Sequence, residues 1–388
     1  MMRVLHVHER SRFQGGVEQI MHDLAAGLSR RGWPQALLCS EHAGDASFDA
    51  AFDRVVTGLD AARQFEPDVV VLHKWSDPRL ADELLTRYPS VQVVHDHDLY
   101  CPRRHKYFPL SRQACGERAG GACVRHLCLI ERRDGAWPIG LTSLTDFRRR
   151  MSVAQRARLF VAGSRHSAAE LARNGFAADR IEVVAPVPAA IGQSACLAPG
   201  EPGRMLFVGQ VIRGKGLDLL LDAAARLKGD WHLDVVGEGR QLEECRELAR
   251  KLTIEDRVRF AGWVPHKELG EWYRRASFTV VPSRWPEPFG MIGLESMSLG
   301  RPVIAFDSGG ISDWLTHEVS GLLVPQANVP ALTHALQQAL STPGMVRRLG
   351  FEAARHCHQR FDHRVYLGQM QAALARAAER DEGQLACA

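Results

Sequence analysis

The sequence predicts an α/β protein built as two doubly wound domains. Three observations carry this. Short runs rich in Val and Leu alternate with helical patterns along the whole chain. The runs are apolar on both faces, as parallel strands covered by helices require. And 388 residues with 45% hydrophobic and 24% charged side chains can bury a large core and suit two domains better than one.

In the first half, strands are expected near residues 4–7, 36–39, 69–72, 91–94, 159–162 and 181–184, and in the second near 205–208, 233–236, 258–260, 279–281, 303–305 and 322–324. Val17, Ile20, Met21, Leu24 and Leu28 form an apolar stripe at helical spacing directly after Gly15-Gly16. Pro186-Val187-Pro188 and the turn-rich residues 198–203 mark an interdomain linker at about 191–203. This places a first domain at 1–190, a second at 204–360 and a terminal segment at 361–388. No apolar run approaches the length of a membrane span. The chain opens directly on a strand, without the long apolar region of a signal peptide, so a cytoplasmic location with reduced cysteines is expected.

In doubly wound sheets ligands bind outside the carboxyl ends of the strands, so the loops there carry the chemistry. Pro286 and Pro288 disfavour helix before Phe289, whereas the residues from Met291 to Leu299 lack Pro and any turn cluster. Glu287 therefore falls in a loop and Glu295, eight residues on, in a helix. A carboxylate beside the positive end of that helix, with backbone N–H groups aimed outward, suits a phosphate-linked polyol. Gly15 and Gly16 let the backbone approach a diphosphate at a helix start. After the strand at 205–208, Arg213 and Lys215 supply cations for a diphosphate, the first as a bidentate fork and the second as a point charge. His95, in Val94-His95-Asp96-His97-Asp98, follows the strand at 91–94.

Glu287-Pro-Phe-Gly followed by Glu295 resembles the E-x7-E motif of retaining family 4 glycosyltransferases, which have the GT-B fold of two Rossmann-like domains. The resemblance extends over nearly the whole chain, through Gly15-Gly16-Val17-Glu18, Phe207-Val208-Gly209 with Lys215-Gly216, Gly300-Arg301-Pro302-Val303 and Asp307-Ser308-Gly309-Gly310. It implies that Glu287 and His95 lie at the donor sugar as catalytic residues, and that Glu295 holds the ribose hydroxyls. It also implies that Gly15, Gly16, Arg213, Lys215, Phe289, Gly290, Gly309 and Gly310 contribute to the donor site. On the same ground the first domain receives the acceptor, the second binds a UDP- or GDP-linked sugar, and the final helix, near 364–380, crosses back to the first domain. The acceptor would be a glycan, lipid-linked or other hydroxyl compound, and no metal is needed for transfer. One departure is Gln210, where relatives usually carry Arg. A GT-B sugar-nucleotide epimerase and a non-catalytic carbohydrate-binding protein remain alternatives. A nicotinamide dehydrogenase does not fit, because no G-x-G-x-x-G follows the first strand.

The segment at about 101–135 is long for a loop and holds four of the nine cysteines, Cys101, Cys115, Cys123 and Cys128. Four thiolates could bind a structural Zn²⁺, although their spacings of 13, 7 and 4 intervening residues lack a C-x2-C knuckle. Reduced thiols in a loop that packs on its domain are the alternative. Residues 101–160 carry 13 Lys and Arg against 4 Asp and Glu, a local +9 in a chain of net +4. The densest run, 147–160, reads as a basic helix leading into a strand, suited to an anionic membrane surface at the cytoplasmic face or to a polyanionic acceptor, or else solvated with nothing bound. Nucleic acid is not expected, since stacking aromatics and a binding motif are missing.

Overall fold

The computed structural model describes residues 1–111, 113–132, 139–191 and 199–379. The chain divides into two compact units, one of Met1–Arg104, Glu117–Pro188 and the chain from His363, the other of His105–Gly116 and Ala189–Asp362.

The first unit holds a parallel sheet of β1 (Val4–Arg10), β2 (Gln35–Glu41), β3 (Arg54–Val56), β4 (Val69–Leu72), β5 (Ser90–Val94), β8 (Leu159–Ala162) and β9 (Ile181–Val183), in the order β3-β2-β1-β4-β5-β8-β9. Between β5 and β8 a small antiparallel hairpin pairs β6 (Ile130–Arg132) with β7 (Ile139–Leu141). Alternate side chains of the sheet enter separate cores. Leu5, Val7, Leu38, Val70 and Leu72 pack on one face, while Leu37 and Cys39 meet Met21 and Phe48 on the other. Both faces are therefore dry, which explains the continuous apolar runs.

The second unit repeats the plan with β10 (Arg204–Val208), β11 (His232–Val236), β12 (Val258–Gly262), β13 (Phe278–Val281), β14 (Val303–Phe306) and β15 (Gly321–Val324), ordered β12-β11-β10-β13-β14-β15 and parallel throughout. Phe207 and Val235 face a core with Leu217, Leu220 and Trp231, and Leu206 and Val236 face Tyr273 and Ala276 on the opposite side. In each sheet the winding reverses beside the first strand, between β1 and β4 and between β10 and β13. Such switch points open a crevice at the strand ends.

The last helix, His363–Ala378, belongs to the first unit. It lies against the helix Gly16–Ser29, where Arg31 donates to Gln371 at 2.6 Å, and His363 Nδ1 donates to the carbonyl of Val187 at 2.7 Å. Arg158 caps its far end through the carbonyl of Ala377 at 3.1 Å. Most of the expected linker at 191–203 lies outside the described residues.

Two features depart from the sequence expectation. The insert near 101–135 is divided, because His105–Gly116 forms part of the second unit. There Tyr107 bridges Ala114 and the ring of His105 lies 5.1 Å from that of Trp285. The four cysteines are divided with it. Cys101 is buried in the core around Tyr100 and Phe160. Cys115 falls in the second unit, and Cys123 and Cys128 close a turn of the first through a 2.7 Å backbone bond. Among the described residues no three His, Cys, Asp or Glu side chains gather as a metal centre around Cys101, Cys115, Cys123 or Cys128.

Candidate functional site

In the second unit the loops after β10 and β13, neighbours at the switch point, lock together. Gly214, on the short 3₁₀ turn Arg213–Lys215, accepts from the backbone N–H of Arg284 at 2.9 Å and of Trp285 at 3.2 Å. Gly216 follows at φ 71°, with its α-carbon so close to Pro282 that a Cβ would stand 1.9 Å from that carbonyl oxygen. This docking aims Lys215 at Glu287, and their Nζ and Oε1 are 2.7 Å apart. Ser283 Oγ and Trp285 Nε1 (3.0 Å) donate to the same oxygen, and Lys215 also stands 4.9 Å from the Trp285 ring centroid. Burial would raise the Glu287 carboxyl, yet Lys215 and these two donors outweigh it and hold the group below the ordinary carboxylate value. All three donors converge on Oε1. Among the described residues no donor reaches Oε2, so an acceptor site is left on this carboxylate.

The backbone of Glu287 is fixed just as firmly. Its carbonyl accepts from Gly310 N–H at 2.7 Å and its residue bridges Gly309. Gly309 sits at φ 64°, where a Cβ would fall 2.3 Å from the Glu287 carbonyl oxygen. Gly309→Ala is thus expected to cost at least about 1–3 kcal/mol, read as a lowered denaturant midpoint. An unchanged midpoint would show that the 309 loop is not pinned in this way.

Gly290, at φ 90°, opens the helix Met291–Ser298 with no side-chain cap, leaving its first N–H groups for solvent or a ligand. Glu295 lies on this helix. Its Oε1 is 3.0 Å from His266 Nε2 and its Oε2 accepts from Tyr273 at 2.9 Å. Burial and then the Glu295 charge push the Tyr273 hydroxyl well above its usual pKa, so it remains a donor. Phe289 turns inward: its ring is buried against Phe361 and its carbonyl accepts from Trp314 Nε1 at 2.6 Å. Arg213 is half-buried beside Lys215, while Gln210 is exposed.

In the first unit, Gly15 is the extended N-cap of the helix Gly16–Ser29, again without a side-chain cap. Glu18, on the first turn, stands 3.6 Å from His8 Nε2. His95 follows β5 directly, and its Nε2 is 2.9 Å from His73 Nδ1. Burial, then the nearby charge of Lys74, pushes His95 down to about 3. Lys74 pairs with Asp96 at 2.5 Å. Burial and the adjoining Asp96 carboxylate raise Asp98 well above its ordinary value. Beside Lys74 and Asp98 lies a cavity of about 80 Å³, lined also by His73, Trp75, Arg104 and Arg150 among others. The basic run forms the helix Leu144–Ala154, capped by Ser143 and followed by β8. Its Phe147 is buried, Arg148 and Arg149 are exposed, and Arg150 reaches the cavity. Among the described residues no helix is long and apolar enough to cross a membrane.

Sequence reasoning placed Glu287 in a loop and Glu295 on a helix, and did not anticipate Ser283, Trp285, His266, Tyr273, His6 or His73. Ser283 and Trp285 lie inside the same motif and were legible as neighbours. Tyr273 and His266 precede Glu295 by 22 and 29 residues and carry no local signal.

Residues 14–186 match the model described as Glycosyltransferase Family 4, and residues 195–356 match that of Glycosyl transferases group 1. The D-inositol 3-phosphate glycosyltransferase of Kribbella flavida is 35% identical over 188 residues, 45% of this chain and 44% of that one. The alpha-D-kanosaminyltransferase of Streptomyces kanamyceticus is 28% identical over 153 residues, 39% of each. The chain thus spans less than half the length of these curated relatives. Over the full fold, Anabaena HepE, solved with UDP and glucose, superposes at a TM-score of 0.73 with 19% identity, covering 97% of this chain and 100% of that one. Sucrose-phosphate synthase of Thermosynechococcus elongatus does so at 0.74 with 18% identity, covering 97% and 99%. Two parallel Rossmann-like units, neighbours of the GT-B class and family models matched in both halves identify the chain as a member of glycosyltransferase family 4.

Proposed function

We propose that the protein transfers a sugar from a nucleotide-sugar donor to an acceptor hydroxyl, with retention of anomeric configuration. The observation that carries this is the Lys215–Glu287 pair at the switch point of the second sheet, with Glu295 on the helix that follows. Lys215 spends one of its three N–H donors on Glu287 and keeps two for diphosphate oxygens. Glu287 Oε2 accepts from a sugar hydroxyl, and Glu295 exchanges its His266 and Tyr273 partners for the ribose hydroxyls. Anions are favoured at the uncapped start of Met291–Ser298. In the transfer the bond from the sugar C1 to the diphosphate oxygen breaks. The acceptor oxygen bonds C1 on the same face, and its proton passes to the departing diphosphate. Lys215, Arg213 and the helix N-terminus stabilise the charge that develops there. A uridine diphosphate donor is the first to try, because HepE was solved with UDP and with UDP-glucose.

The test is acceptor-dependent release of nucleoside diphosphate across a panel of UDP- and GDP-sugars, preceded by a thermal-shift screen for binding. Release only when acceptor is present supports the proposal. Donor binding without release under any acceptor would make the protein a binder, and interconversion of the donor sugar alone would make it an epimerase. Glu295→Ala is expected to weaken nucleotide-sugar binding by about 10- to 100-fold, since a hydrogen bond to a charged group contributes roughly 1.5–3 kcal/mol. Wild-type affinity in calorimetric titration would remove Glu295 from the site.

A further inference from the structure

Four polar side chains cross the first sheet in a single file. Gln35 begins β2, His6 lies on β1, His73 directly follows β4, and His95 directly follows β5, so each comes from the next strand in the sheet order. His6 Nε2 is 2.9 Å from Gln35 Oε1, His6 Nδ1 is 3.0 Å from His73 Nε2, and His73 Nδ1 is 2.9 Å from His95 Nε2. The rings step across the sheet nearly parallel, with centroids 5.3 and 5.2 Å apart and interplanar angles of 15° and 19°. Gln35, His6 and His73 are buried, and His95 is half-buried at the open end.

The direction of this file is fixed from its closed end. Gln35 Nε2 is 2.8 Å from the carbonyl oxygen of Trp33, which can only accept. The amide nitrogen must therefore face Trp33, and Oε1 must face His6. An oxygen of that kind can only accept as well, so the proton of His6 sits on Nε2. A neutral imidazole carries one proton, which leaves His6 Nδ1 an acceptor and obliges His73 to donate from Nε2. The same step obliges His95 to donate from Nε2 to His73. What remains at the open end is the lone pair of His95 Nδ1, and among the described residues no group hydrogen-bonds to it. Burial keeps the file neutral, holding His6 down to about 4 and His73 well below its ordinary value. Gln92 secures the ladder from the side by donating to the carbonyls of Leu72 and His73 at 3.0 and 3.3 Å.

We propose that Gln35, His6 and His73 are positioning residues that lock His95 in the Nε2–H tautomer, presenting Nδ1 as a fixed hydrogen-bond acceptor for a sugar hydroxyl that reaches the end of β5. The tautomer follows from the hydrogen-bond geometry of a neutral file, whereas the hydroxyl as its partner rests on the function proposed above. A histidine free to choose its tautomer would spend part of its population as an Nδ1–H donor, pointing a proton at the hydroxyl's own. The relay removes that population before any ligand arrives.

Long-range ¹H–¹⁵N correlation on the full chain with ¹⁵N-labelled histidine, without ligand at pH 7.5, reads the tautomer directly. The His95 signals are those lost in His95→Asn. The expected result is a neutral His95 protonated on Nε2, and an Nδ1–H or charged His95 would overturn the relay whether or not any sugar is transferred. Two substitutions then test the use of Nδ1. Asn at 95 places an oxygen near the Nδ1 position, and Gln reaches only toward Nε2. His95→Asn is expected to keep at least tenfold more kcat than His95→Gln, with affinity for nucleoside diphosphate equal in both. Equal loss of kcat would overturn the role of Nδ1. Gln35→Met is expected to leave a mixed tautomer at His95 and a lowered kcat at unchanged donor KM. A wild-type spectrum with lowered kcat would make Gln35 merely structural.

Discussion

Lys215→Met is expected to destabilise the second unit by about 3 kcal/mol, the lower end for removing one partner of a buried ion pair, because the Lys215 side chain keeps 19% exposure whereas that of Glu287 keeps 4%. The carboxylate would be left with Ser283 and Trp285 as donors and no cation. Its pKa would then follow burial, upward past the ordinary value. The pH dependence changes sign with it. In the wild type the depressed carboxyl contributes stability that is present above the ordinary carboxylate value and is lost as pH falls. In the variant the raised carboxyl destabilises more as pH rises. Denaturant titration should therefore show a larger deficit at pH 8 than at pH 5, and Lys215→Met combined with Glu287→Gln should recover much of it. A single variant as stable as the wild type at pH 8 would show that the pair is not buried as described. The same pairing means that loss of donor binding in Lys215 variants is informative only beside a stability measurement.

Acid is expected to weaken the first unit well before its carboxylates are protonated. His6 and His73 are neutral in the fold, pushed below 6.5 chiefly by burial, and regain their ordinary affinity for protons on unfolding. The unfolded chain thus binds more protons between about pH 6.5 and 4, so stability is intact above that window and is lost as pH falls through it. Each group removes about 2 kcal/mol between pH 7 and pH 5, or about 4 kcal/mol together, a large share of a typical 5–15 kcal/mol. His95, pushed down to about 3 chiefly by burial, acts in the same direction. Asp98 acts in the opposite sense, because its raised carboxyl gains a proton on folding and stabilises as pH falls. The decisive measurement is therefore the difference in unfolding free energy between pH 7 and pH 5 for the wild type and for His6→Leu. The variant should lose about 2 kcal/mol less over that interval, and identical pH slopes would rule out a buried neutral His6.

Much of the architecture was legible locally. The runs at β1, β4, β10 and β14 are apolar on both faces and announce parallel strands, and Gly15-Gly16 before an apolar stripe announces a helix start. The prolines at 286 and 288 separate Glu287 from the helix of Glu295. β3 was not legible, because its three residues at a sheet edge are only partly buried and carry little pattern. The β6–β7 hairpin was missed for the same reason of length.

The sequence by itself determined the two doubly wound units, the loops that carry the candidate residues and the family to which they belong, because strand and helix patterns repeat over distances of a few residues. Only the tertiary structure decided which candidates meet. Lys215 and Glu287 are 72 residues apart, and they pair because β10 and β13 are neighbours at a switch point. Gln35, His6, His73 and His95 form one file because four strands far apart in sequence lie side by side. His105–Gly116 falls in the second unit although the chain on either side of it belongs to the first. Hydrogen bonds and ion pairs act over about 3 Å, and which side chains come that close is set by strand order and packing rather than by separation along the chain.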